Sequence, residues 1–267
     1  PNFWILNSLG SNAEFTIGNQ DQSSSFILDH NQQIPMYNIE MSTNIAVKFN
    51  QKTENFTPQY LTYPMMLNDQ IMAIRKPFQG GILLEFKSCT EFYNKLSIPI
   101  DIFTRNDKSD SFRKVATLQF KERFPLYLTS KPREFLISGH KLTTKLKHQY
   151  LTLSASTTNI PDFMIIIDSN KSIKVSLSVK TVASIGTKVF TLFSPIKAVS
   201  HLPSRLKMKV ENEPEIISLH CEQAIDLFIN ETKNKFKAAF SIDDEHFGPL
   251  NQLKMKSKDP QKILCGG

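Results

Sequence analysis

From Ile173 to Lys180 the chain alternates strictly. Ile173, Val175, Leu177 and Val179 share one face of an extended strand, and Lys174, Ser176, Ser178 and Lys180 share the other. Just upstream, Phe163–Ile167 is a continuous β-branched run of the kind buried on both faces. Asp168-Ser169-Asn170-Lys171-Ser172 supplies turn chemistry between the two. Lys188–Phe193 and Leu206–Val210 repeat the alternation, with Arg205, Lys207 and Lys209 on one face. Earlier in the chain, short apolar pieces predict strands at Phe3–Leu6, Glu14–Ile17, Ser25–Leu28 and Asn44–Phe49. Ile71–Arg75 and Ile82–Lys87 flank a Pro-Phe-Gln-Gly-Gly turn and predict a hairpin. Further strands are predicted at Ile98–Thr104, Val115–Phe120, Phe124–Leu128 and Phe135–Ile137, and residues 50–66 read as a loop.

One segment carries helical spacing. Ile225, Phe228, Thr232, Phe236 and Ala239 recur every three or four residues, predicting an amphipathic helix over about 221–240. Acidic residues near its start and lysines near its end match the helix dipole. The expected fold is mainly β: an antiparallel β-sandwich or jelly roll, as one large or two packed β domains, with that helix near the C-terminus. The expected halves are 1–139 and 148–250, separated by the basic run Gly139–His148, with a loose tail over 251–267. No internal repeat of fixed period is visible.

Composition adds a large aromatic core. Twenty phenylalanines stand among 267 residues of which 40% are hydrophobic. No apolar run is long enough for a membrane-spanning helix, and no secretory segment opens the chain. Three cysteines, Cys89, Cys221 and Cys265, make neither a disulfide framework nor a zinc motif. They fit a reducing compartment, so the expectation is a soluble intracellular protein of cytoplasm or nucleus.

Charge changes the picture more. The net charge is +7, but residues 101–210 alone carry +12, and both ends are acidic. That asymmetry can set up a local field for an anionic partner. The candidates are Arg105, Arg113, Lys114, Lys121, Arg123, Lys131 and Arg133, joined by Lys174, Lys180, Arg205, Lys207 and Lys209. Phe103, Phe112, Phe120, Phe124, Tyr127 and Tyr150 are interleaved with the first group, as a single-strand nucleic-acid surface requires. A solvated sheet face over core aromatics produces the same pattern.

Catalytic signatures are missing. The chain has no glycine-rich phosphate loop, no G-x-S-x-G elbow and no H-E-x-x-H. Asp243-Asp244-Glu245-His246 could meet a cation but reads as a solvated loop, and Cys221 beside His220 reads as packing. No cofactor is expected. The first expectation is a non-enzymatic β-rich protein whose basic middle contacts an anionic partner, foremost nucleic acid. The alternatives are a viral structural or movement protein of jelly-roll type, possessing self-assembly contacts, and a protein-interaction scaffold in a larger complex.

Overall fold

The computed structural model describes residues 3–19, 22–37, 39–61, 64–105, 111–128, 131–139, 149–168, 171–182, 186–211, 216–227, 235–243, 246–254 and 265–266. Almost every described segment is extended. The one helical segment among the described residues is a 3-10 turn at Pro58–Tyr60.

The first unit runs from β1 to β9. Its strands are β1 (Phe3–Ser8), β2 (Ala13–Asn19), β3 (Gln22–Leu28), β4 (Gln33–Met36), β5 (Ile45–Phe49), β6 (Lys52–Phe56), β7 (Met65–Met66), β8 (Ile71–Phe78) and β9 (Gly81–Ser88). They form two sheets, ordered β4-β1-β9-β8-β7 and β3-β2-β5-β6. β1 pairs in parallel with β9 and antiparallel with β4. One apolar cluster draws Ile5, Leu84 and Phe86 from the first sheet and Phe15, Ile45 and Val47 from the second. The β8–β9 hairpin turns at Gln79 and Gly80, both with positive φ.

The second unit comprises β10 (Thr90–Asn94), β11 (Ile100–Arg105), β12 (Arg113–Leu118), β13 (Arg123–Leu126), β14 (Arg133–Ser138), β15 (Tyr150–Leu153), β16 (Phe163–Asp168), β17 (Lys171–Val182) and β18 (Thr187–Phe193). Its sheets are ordered β13-β10-β18-β17-β16 and β12-β11-β14-β15. This is the first unit's order with every strand advanced by nine, and β10 again runs parallel to β18 and antiparallel to β13. Both sheets feed one core containing Phe92, Ile102, Phe135, Phe163, Ile173 and Phe190. The strands flanking the basic run 140–148, which lies outside the described residues, pair with each other in this unit.

The third unit contains β19 (Lys197–Val199), β20 (Leu206–Val210), β21 (Ile216–Leu219), β22 (Ala224–Asp226), β23 (Lys235–Ser241), β24 (Asn251–Lys254) and β25 (Cys265–Gly266). β19 pairs with β22, and the order β21-β20-β23-β24 follows. These pairings repeat β1–β4 and β3-β2-β5-β6; β25, parallel to β23, has no counterpart among the described strands of the other units.

The repetition reaches individual hydrogen bonds. Where β1 ends, the buried Asn7 amide donates to the carbonyls of Ser11 and Leu28 at 2.8 Å each, and its Oδ1 accepts from the Leu9 N–H at 2.9 Å. Asn94, ending β10, donates to the carbonyls of Ile98, Leu118 and Gln119 at 3.0–3.1 Å and accepts from the Leu96 N–H at 2.9 Å. Ser200 takes the same place after β19, its hydroxyl accepting from the Leu202 N–H. Each of these three residues offers its own carbonyl to a turn residue with φ near +60°: Asn31, Lys121 and Glu222 respectively. The chain here crosses between sheets, and a buried crossing leaves carbonyls without strand partners. A short side chain with donor and acceptor supplies them.

The junctions repeat as well. The Ser88 hydroxyl donates to the Leu126 carbonyl at 2.6 Å and accepts from the Thr90 N–H at 3.2 Å. The Ser194 hydroxyl shares its proton between the carbonyls of Ile196 at 2.8 Å and Leu227 at 3.2 Å, and accepts from the Ile196 N–H at 3.2 Å. Gly10, at φ +89°, lies against the next unit so closely that an added Cβ would stand 2.7 Å from Cγ of Pro125. Gly10→Ala therefore combines backbone strain with overpacking and is expected to lower stability by about 2 kcal/mol in urea denaturation. An unchanged midpoint would remove Gly10 from the junction.

Two expectations need correction. The amphipathic helix at 221–240 is not present: β22 and β23 lie there, and residues 228–234 are outside the described residues. Phe236, Ala238 and Phe240 are buried while Lys237 is exposed, a period of two that the helical spacing obscured. Residues 50–66 are not a plain loop, since they hold β6, the 3-10 turn and β7. The polar sequence of β6, Lys-Thr-Glu-Asn-Phe, belongs to a sheet edge with mostly solvated faces.

Candidate interaction surface

Several of the twelve basic candidates are bound to acids of their own unit. Arg105 pairs with Glu134 and lies 4.6 Å over the Phe112 ring and 5.5 Å over that of Tyr150. Lys114 pairs with Asp101 at 2.7 Å, Arg123 with Glu91 at 2.8 Å and Lys174 with Asp162 at 3.0 Å. Arg205 donates to the Ser218 hydroxyl at 2.8 Å. Lys121 is the positive-φ turn residue that bonds the Asn94 carbonyl, which gives it a backbone role. Arg113, Lys131, Lys180 and Lys209 are exposed, and Lys207 and Arg133 are half-buried.

These residues do not share one element. Arg105, Arg113, Lys114 and Arg133 sit on the four-stranded sheet of the second unit, Arg123, Lys174 and Lys180 on its five-stranded sheet, and Arg205, Lys207 and Lys209 in or beside β20. Of the interleaved aromatics, Phe103 is in the core, Phe112 and Tyr150 carry Arg105, and Phe120 is exposed beside Lys121.

Glu91 is held between two basic side chains. It sits on β10, bonded to Lys87 on one side and Arg123 on the other, and so ties β9 of the first unit to the second. Burial pushes its carboxyl up, but the hydrogen bonds and charges of Lys87 and Arg123 outweigh this and hold it below the usual carboxylate range. A depressed folded pKa contributes stability above the unfolded value, about 4.3, and loses it as pH falls through the folded value. Stability is thus expected to decline below about pH 4.5, and Glu91→Gln to flatten that decline in pH-dependent melting. A variant with the wild-type acid profile would contradict the pairing.

The junction between the first two units forms a half-open pocket of about 250 Å³. Tyr127 reaches from the second unit into the first, its ring centroid 4.5 Å from that of Phe49. Its hydroxyl is buried without a hydrogen-bond partner among the described residues. Arg133 lines the same pocket, and burial lowers its guanidinium pKa. At the second junction the buried Asp226 carboxylate accepts the Ser97 N–H at 3.0 Å and faces the Lys197 ammonium at 3.2 Å.

Burial pushes the Cys89 thiol up to about 11, far from a reactive thiolate. Cys221 is exposed on the turn after β21. Asp243 accepts from the backbone N–H and the ring of His246 within its own turn, and Asp244 and Glu245 lie outside the described residues. Among the described residues, no three His, Cys, Asp or Glu side chains are placed to hold a metal ion, and no helix is long and apolar enough to cross a membrane.

Asn7, Asn94, Ser88, Ser194 and Asp226 escaped the sequence reading. The available signal was a faint echo: Leu28-x-x-x-Gln32-x-Ile34-x-Met36, Leu118-x-x-x-Glu122-x-Phe124-x-Leu126 and Leu219-x-x-x-Gln223-x-Ile225-x-Leu227. Compared with known proteins, the chain matches no family model and no curated protein sequence.

Proposed function

We propose that this chain is a non-enzymatic protein-interaction scaffold, a row of β-sandwich units whose junctions and free strand edges receive partner proteins. The observation that carries the reading is the recurrence of one strand order and one serine-based junction along the chain. Repeats that contact mainly their neighbours generate long surfaces, and such surfaces bind extended partners. Among the described residues, each of the first two units leaves four edge strands, β3, β4, β6 and β7 in the first and β12, β13, β15 and β16 in the second. Unpaired edge N–H and C=O groups are templates for strand addition.

The excess of positive charge supports a second reading, contact with nucleic acid. The ion pairs of Arg105, Lys114, Arg123 and Lys174 weigh against it, because a phosphate must compete with a carboxylate already in place. The two readings separate in one experiment. Peptide-display selection against the immobilised chain, followed by amide shift mapping, is expected to yield peptides that perturb edge strands or junctions. Binding of single-stranded DNA tighter than about 1 μM at physiological salt, with no peptide selected, would overturn the scaffold reading in favour of the nucleic-acid one.

A further inference from the structure

We infer that the pocket between the first and second units binds a carboxylate attached to an apolar group, with Arg133 and Tyr127 as its polar contacts. The inference rests on the scaffold reading and deepens it: the carboxylate is that of a partner's peptide. Gly10 closes one side, Val115, Phe124 and Phe135 form apolar walls, and Tyr127 and Arg133 supply the polar atoms.

One group there is left unsatisfied by the described residues, and a second lacks a counter-charge among them. The Tyr127 hydroxyl is buried with no partner among the described residues. The adjacent acid on β14, Glu134, is already engaged by Arg105, and no described carboxylate pairs with Arg133. A half-buried guanidinium without a counter-charge is costly, and a carboxylate matches its planar fork. The second junction shows what is missing. There the chain supplies its own carboxylate, Asp226, at the position that Pro125 occupies in the first junction. Proline can offer no acceptor side chain, so this position gives Arg133 no carboxylate, while the Gly10 N–H, in the place of Ser97, is taken by His30 at 2.9 Å. A volume of about 250 Å³ admits a group the size of one amino acid.

The test is an amide-shift titration of the isotopically labelled chain with three probes. N-acetyl-leucine presents a terminal carboxylate, N-acetyl-glutamic acid α-amide a side-chain carboxylate, and N-acetyl-leucinamide none. At least one carboxylate probe is expected to saturate, with shifts centred on Gly10, Tyr127 and Arg133, and the tighter of the two identifies which end of a peptide the site takes. The leucinamide is expected not to bind there. Arg133→Gln is expected to weaken binding roughly tenfold or more. Tyr127→Phe, which keeps the ring packed on Phe49, is expected to weaken it about threefold. Equal binding of leucinamide, retention of affinity in a folded Arg133→Gln variant, or no saturable shift with any probe up to about 50 mM would overturn the site. Selected peptides that map to strand edges in that event would leave the scaffold reading standing.

Discussion

Asn94→Ala is expected to destabilise the chain by about 3–5 kcal/mol, with the urea midpoint falling and the m-value kept. The magnitude follows from what the side chain does. It is fully buried, and its loss would remove the Asn94 donor from the carbonyls of Ile98 and Leu118 and leave the Leu96 N–H without its acceptor, while the Gln119 carbonyl keeps the Glu122 N–H. Each buried group left unsatisfied costs about 1–3 kcal/mol before relaxation and water entry reduce the sum. Asn94→Asp keeps the shape and one acceptor but brings a negative charge against carbonyl oxygens, and is expected to be at least as damaging at neutral pH. A loss under about 1 kcal/mol in Asn94→Ala would show that these bonds do not hold the crossing.

The second large effect belongs to Phe86. This ring lies on β9 and meets Phe15 of β2 at 5.1 Å and Phe56 of β6 at 5.3 Å, edge-on in both cases, so it joins the two sheets of the first unit. Phe86→Ala removes a completely buried ring and is expected to cost about 3–5 kcal/mol. Hydrogen exchange should localise the damage. Amides of β1, β2, β5 and β9 are expected to lose protection first, while β11, β14 and β17, whose core is a separate cluster, retain theirs. Uniform loss across both units would mean that the two cores unfold as one.

The strands were legible wherever apolar residues alternate or cluster. Ile173–Val179, Lys188–Phe193 and Leu206–Val210 fall within β17, β18 and β20, because a sheet with one buried face imposes a period of two. β10 was not legible, since Thr-Glu-Phe-Tyr-Asn has buried polar groups that only its partners explain: Glu91 is satisfied by Lys87 and Arg123 across strands. β23 was read as helix because Ala238 and Ala239 are both buried and blur its alternation. The repeat stayed hidden for a different reason. The intervals from Asn7 to Asn94 and from Asn94 to Ser200 are unequal, and the recurring features are backbone bonds and turn angles that tolerate Asn or Ser, and Asn, Lys or Glu. The positive middle was legible as composition. Its distribution over separate sheets and its internal ion pairs were not, because pairing depends on which strands become neighbours.

The central claim is that the first two units are the same strand arrangement repeated, and backbone NOEs test it most directly. The arrangement requires parallel contacts at both unit starts: Trp4 beside Leu83 between β1 and β9, and Glu91 beside Val189 between β10 and β18. Observing both sets, each with the antiparallel contacts of β1 to β4 and β10 to β13, is the predicted result. Finding either opening strand paired antiparallel to the closing strand of its unit, or paired within the other unit, would contradict the repeat and the scaffold built on it.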